Sequence, residues 1–187
     1  MTFRTFALFA VATMPFFGVA TPPPPPHGAK SVLADAQAQA KRENKNVLLI
    51  FHASWCGWCH KLDGMLNSPE VGPTMAKAYV ITHVDVDEQP AKKDLENPGA
   101  ADLRTSLGGD EKTGLPFFVI ISPTGKTLGT SIAPKTGNIG YPAEPAEVAH
   151  FMGLMSKSSP TLSMAERAKV EAYLKEAAKA IKSASHG

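Results

Sequence analysis

The chain has 187 residues, 43% of them hydrophobic and 19% charged, which excludes a largely disordered chain and suits one globular domain. The formal net charge of +2, with 19 Lys and Arg against 17 Asp and Glu, is too near balance for the basic stripe of a nucleic-acid binder. Two cysteines exclude a disulfide-stapled miniature fold, and the pair, Cys56 and Cys59, would close too short a loop to constrain the unfolded chain much. Such a pair reads as chemistry rather than as a staple.

In chain order, residues 1–20 have the pattern of a secretory signal peptide. Arg4 carries the early charge, residues 5–20 are uncharged and mostly apolar, and Gly18-Val19-Ala20 is a small-residue cleavage site. The apolar run is short for a membrane span of ~20 residues and contains Pro15, so cleavage is expected rather than stable membrane insertion. Residues 21–30 form a Pro-rich linker whose five consecutive prolines favour an extended polyproline II spacer. Residues 31–158 are expected to be the globular domain, and residues 159–187 a C-terminal helical extension.

Within the domain, Val32, Leu33, Ala36 and Ala40 recur at helical spacing, in a helix ending around Asn44 to Asn46. Val47 to Phe51 is a continuous apolar run, the pattern of a strand buried on both faces. Residues 59–66 form helix, and Ser68-Pro69-Glu70 looks like an N-cap with proline at the first helical position. Val80 to Val86 is a second strand, Pro98 to Leu107 a helix, and Phe117 to Ile121 a third strand. Ser122-Pro123-Thr124-Gly125 then turns the chain into a hairpin partner at Lys126 to Ile132. Residues 133–145 are loop-like, and two helices follow, with a linker-like break at Lys157 to Ser159. The last helix has a capping box, Ser163 with Glu166, and an apolar stripe of Val170, Tyr173, Leu174, Ala177 and Ile181. This order predicts an α/β fold with a central mixed sheet flanked by helices and an extra C-terminal helix.

The informative segment is Phe51-His52-Ala53-Ser54-Trp55-Cys56-Gly57-Trp58-Cys59-His60-Lys61, which follows the buried strand and opens a helix. A helix start offers unpaired N–H groups and a partial positive charge of roughly half a unit, both of which favour thiolate over thiol. Cys56 is expected at the cap as the exposed nucleophile, titrating below the free value of ~8.5. Cys59, one turn in, is expected to be buried and to resolve a mixed disulfide held on Cys56. Two other chemistries use the same residues. Cys56-Gly57-Trp58-Cys59-His60 fits the c-type haem attachment pattern. Cys56, Cys59 and His60, with His52, supply soft ligands for copper. A Soret band would mark the first.

Three blocks, Asn44 to Asp63, Tyr79 to Glu88 and Thr113 to Gly129, resemble the thioredoxin superfamily, and among it the exported thioredoxin-like proteins with a Trp-Cys-Gly-Trp-Cys motif. The resemblance implies a thioredoxin-like fold and thiol–disulfide oxidoreductase activity through Cys56 and Cys59, with no bound cofactor and no metal. It implies a cis Leu115–Pro116 bond beside Cys56, where the backbone before Pro116 pairs with an extended substrate segment. Trp55, Gly57, Trp58, Leu115 and Pro116 are the expected substrate-binding residues. The implied partners are exported proteins with cysteine thiols or disulfides, and a redox partner that recycles the pair, in the periplasm or outside the cell. Two positions depart from the pattern. Ile50 stands where most thioredoxins have a buried Asp serving the resolving cysteine, with Asp63 or a water as substitutes. Trp58 and His60 replace the commoner Pro and Lys.

Overall fold

The computed structural model describes residues 26–184. The signal-peptide assignment at residues 1–20 and the proline run up to Pro25 lie outside the described residues.

The first helix, α1, spans Ala29–Glu43, so it starts inside the segment read as linker. Ala29 is fully buried and its N–H donates to Pro98 O at 2.9 Å, which anchors the helix start to the domain. The helix stops at Asn44, whose left-handed φ of 52° ends the turn while its N–H still reaches Ala40 O. The apolar run becomes β1, Asn46–His52, buried from Val47 to Phe51. It lies at the centre of a four-stranded sheet ordered β2-β1-β3-β4, where β2 is Tyr79–Asp85, β3 is Phe117–Ile121 and β4 is Thr127–Thr130. β2 runs parallel to β1, while β3 and β4 are antiparallel neighbours.

Alternation along β1 divides the core in two. Val47, Leu49 and Phe51 meet Val80, Val84, Phe117, Val119 and Ile121 under α1 and α4, Ala100–Ser106. Leu48 and Ile50 face the other way, with Phe118 and Ile120, beneath α2, Gly57–Leu66. That second layer is completed by α3, Gly72–Ala78, α5, Pro145–Ser158, and α6, Met164–Ala184. Phe51, Phe117, Phe118 and Phe151 are fully buried, each contributing about 1.5–3 kcal/mol of apolar transfer free energy.

Three local expectations are corrected. Ser68 accepts the Val71 N–H at 3.1 Å, but this closes a turn, and α3 begins later, at Gly72, with Pro73 in its first turn. Residues 133–145 contain a small two-stranded hairpin, β5 Ile132–Ala133 with β6 Gly137–Asn138, instead of loop alone. The break expected at Lys157 to Ser159 falls later, at residues 159–163, because α5 runs to Ser158, and both Ser158 and Ser159 are buried. Ser158 shares a 2.6 Å hydrogen bond with the Tyr79 hydroxyl, and its carbonyl accepts from Asn46 Nδ2 at 2.6 Å.

Candidate active site

The site forms where β1 ends and α2 begins. Cys56 is the N-cap of α2, in extended conformation, and its Sγ accepts the Cys59 N–H at 3.1 Å. Capping of this kind needs a side-chain acceptor at the cap and a helical N–H three residues on, which the Cys-x-x-Cys spacing provides. The two sulfurs are joined as a disulfide, with the Cα atoms 5.2 Å apart. Cys59 is 1% exposed, as the sequence led one to expect. Cys56 is 4% exposed, so it is not the open thiol that its cap position implied. Ala53 and Leu115 close over the pair.

The aromatic residues flanking the cysteines stay at the surface. Trp55 is 51% and Trp58 45% exposed. Trp55 Nε1 donates to Asp87 O at 2.8 Å, and Trp58 stacks on Tyr141 at 6.2 Å with Lys61 Nζ over its ring. A Cβ at Gly57 would meet nothing within 4 Å, so the space beside Gly57 is open.

Leu115–Pro116 is a cis peptide bond. Asn138 Nδ2 donates to Gly114 O and Pro116 O, at 3.2 and 3.1 Å, and so ties this loop to the β5–β6 hairpin. The backbone N–H and C=O of Leu115 itself make no hydrogen bond among the described residues. Beside Leu115 and Trp58 lies a cavity of about 500 Å³ that also touches Ile139, Tyr141 and Ile181.

The loop carrying Cys56 is held by residues the sequence did not single out. Glu88, 3% exposed, accepts the Ser54 N–H at 2.5 Å and the Ser54 hydroxyl at 2.8 Å. Arg104, also 3% exposed, makes a two-pronged ion pair with Asp87, whose carbonyl receives Trp55. The charged block after β2 carried that signal: acidic residues closing a strand, at the end of the sheet where α2 starts.

The histidines are arranged differently from expectation. His60 turns back to place Nε2 3.1 Å from Ser54 O, and His52 lies 4.8 Å, ring to ring, from His83. The four residues weighed as copper ligands are therefore divided between two places. His83, on β2, shares a 2.8 Å hydrogen bond with Asp63 of α2. His52 Nε2 lies 3.1 Å from Asp85 Oδ1, within ion-pair distance though not in hydrogen-bond alignment. Burial opposes charge on His52, but Asp85 above all, with Asp63 and Glu88, outweighs it and holds that imidazole above its ordinary pKa. For His83 burial prevails over the attraction of Asp63, and its pKa is lowered.

A thioredoxin-like family model matches residues 29–123. The chain belongs to the thioredoxin-like family. Among solved structures it is similar to a disulphide isomerase from Xylella fastidiosa Temecula1, with 20% identity and a TM-score of 0.47 over 79% of this chain and 89% of that one. It is also similar to a DsbH oxidoreductase, at 23% identity and a TM-score of 0.44 over 77% and 95% of the two chains. The oxidised C-terminal domain of Neisseria meningitidis DsbD is 24% identical, with a TM-score of 0.40 over 55% of this chain and 81% of that domain. No curated protein matches the sequence. The thioredoxin-like chain thus has its Cys-x-x-Cys disulfide at the start of the helix that follows its central strand.

Proposed function

We propose that this protein is an exported thiol–disulfide oxidoreductase that exchanges electrons with cysteine pairs of other exported proteins through Cys56 and Cys59. The observation that carries this reading is the Cys56–Cys59 disulfide seated on a helix N-terminus, with Cys56 Sγ already accepting a helical N–H. On reduction the same N–H and helix dipole stabilise a thiolate on Cys56. That thiolate attacks a substrate disulfide, and one substrate sulfur leaves as thiolate. Cys59 then attacks Cys56 Sγ, re-forms the internal disulfide and releases the second substrate sulfur, so two electrons pass to the substrate. In the opposite direction the internal disulfide oxidises a substrate dithiol.

Capture of substrate falls to Trp55, Gly57, Trp58, Leu115 and Pro116. The free backbone N–H and C=O of Leu115 support pairing with an extended polypeptide by strand addition. The open space at Gly57 leaves room for a partner chain next to Cys56, and Trp58 with Tyr141 offers an apolar wall beside it. Export is supported by the signal-peptide pattern of residues 1–20. No helix among the described residues is long and apolar enough to cross a membrane.

The test is mixed-disulfide trapping in the compartment to which the chain is exported. Cys59→Ser should accumulate covalent adducts with exported proteins, and Cys56→Ser should not. Adducts on Cys56→Ser alone would reverse the two roles, and none on either variant would remove the activity.

A further inference from the structure

The sheet face beneath α2 holds four ionisable side chains that the exchange reaction, as described, does not use. His52 and His83 lie on adjacent strands with their rings 4.8 Å apart; Asp63 of α2 meets His83 at 2.8 Å, and Asp85 approaches His52 at 3.1 Å. In the parallel register of β1 and β2, Ile50 is paired with His83 and His52 with Asp85. Asp63 sits four residues after Cys59 on α2, so the two share a face, with about 5–6 Å between Cβ atoms. Cys59 is 1% exposed, and apart from Cys56 the residues packed with it, Ala53 and Leu115, bring no acceptor side chain. A buried thiol must lose its proton before it can attack, and these observations leave the Asp63 end of the cluster as the ionisable group one helical turn away.

We propose that the Asp63–His83 pair, extended by His52 and Asp85, takes up the proton that Cys59 sheds when it resolves the mixed disulfide on Cys56. This rests on the oxidoreductase reading above. The Cys59 S–H bond breaks and its proton passes, through one water, to the Asp63–His83 pair. The Cys59 thiolate bonds to Cys56 Sγ, the bond between Cys56 and the substrate sulfur breaks, and the substrate leaves as thiolate with the electron pair. In the reverse reaction the pair returns the proton to Cys59. The cluster suits the task because its two imidazoles are pushed in opposite directions, His52 toward the charged form and His83 toward the neutral, proton-accepting one. The groups facing it are Asp63 from α2, His52 from β1, His83 and Asp85 from β2, and Glu88 just after β2, whose charge also acts on His52. Asp63 and His83 are positioning residues that act through Cys59.

The experiment uses the reduced protein and the aromatic disulfide 5,5′-dithiobis(2-nitrobenzoate). Its first thionitrobenzoate release reports attack by Cys56, and its second reports resolution by Cys59. Asp63→Asn and His83→Gln should slow the second release at pH 7 by about 100-fold, the scale of general-base catalysis, and approach the unmodified rate at high pH, where hydroxide ionises Cys59. The first release should keep its rate and pH profile, which separates this role from a structural one. An unchanged pH profile for the second release in both variants would overturn the proposal, as would a uniform loss of both releases at every pH. If the unmodified protein gave only the first release, the oxidoreductase reading itself would fall, and this inference with it.

Discussion

Glu88 holds Ser54. From just beyond β2 the buried carboxylate accepts both the backbone N–H and the hydroxyl of Ser54, two residues before Cys56. The Glu88 N–H in turn donates to Glu96 Oε1 at 2.7 Å, so two loops lock at the end of the sheet where α2 begins. Glu88→Ala should destabilise the protein by about 2–4 kcal/mol, since bonds to a charged acceptor are worth about 1.5–3 kcal/mol each. Glu88→Gln keeps one carbonyl acceptor and should lose less. Denaturant midpoints at constant m-value would check this; an Ala variant as stable as the parent would show that Ser54 is held by something else.

The ion pair behind Trp55 is asymmetric. The Arg104 side chain is 3% exposed while that of Asp87 is 39% exposed. Removing Asp87 strands a buried guanidinium, whereas removing Arg104 leaves a carboxylate that water can reach. Asp87→Ala should therefore cost about 3–5 kcal/mol and Arg104→Met clearly less. Urea unfolding of the two variants side by side gives the comparison, and equal losses would mean that the burial asymmetry does not govern the pair.

The extent to which this architecture can be read from sequence follows from what each segment obeys. Val47 to Phe51 has the continuous apolar pattern of a strand buried on both faces, and the structure has it at the sheet centre. The Cys56-Gly57-Trp58-Cys59 segment was legible because a helix cap and a redox pair need the same spacing. Ser163 and Glu166 make the reciprocal contacts of a capping box, as their spacing indicated. The rest depended on distant partners. Ser158 looks like a linker residue until Tyr79 and Asn46 are found upon it. His83 looks like any strand histidine until Asp63, twenty positions earlier, is placed above it. Cys56 was expected at the surface because a cap usually is; Leu115, brought over from another part of the chain, covers it. No local periodicity encodes these meetings.

Alkaline pH should loosen the wall beside the disulfide. Tyr141 is 6% exposed, and burial, followed by the neighbouring Tyr173, pushes its phenol up to about 12. The unfolded chain ionises this group near the ordinary value of about 10. The folded state therefore holds the proton more tightly, so the stabilisation is fully present below pH 10 and is lost as pH rises toward 12. Tyr79, raised chiefly by burial, acts in the same direction. Stability should fall by up to about 1.4 kcal/mol per pH unit for each such group, and Tyr141→Phe should flatten the fall while keeping the stack on Trp58. Unfolding free energies measured from pH 9 to 12 would show it. An identical slope in the Phe variant would place the titration elsewhere.

The C-terminal helix belongs to the core energetically, although the family match ends at residue 123. Val170 and Leu174 are fully buried in the same apolar cluster as Leu48, Ile50 and Leu62 of the redox layer. Tyr173, Ala177 and Ile181 pack against that cluster from the half-buried side of α6. A helix attached only at its edge would lose little on truncating one leucine, because the gap would fill with water. A leucine enclosed on all sides leaves a cavity, and such a change costs about 2–5 kcal/mol. Leu174→Ala should therefore lower stability by that amount in a single cooperative transition, with Val170→Ala somewhat milder. Exposed Met164, 84% accessible at the start of the same helix, is the control, and Met164→Ala should change stability by less than about 0.5 kcal/mol. Unfolding followed separately by the fluorescence of Trp55 and Trp58 and by far-ultraviolet circular dichroism would test the coupling. If α6 melted first, leaving the fluorescence transition of Leu174→Ala unmoved, the helix would be an appendage and not part of the core that carries Cys56 and Cys59.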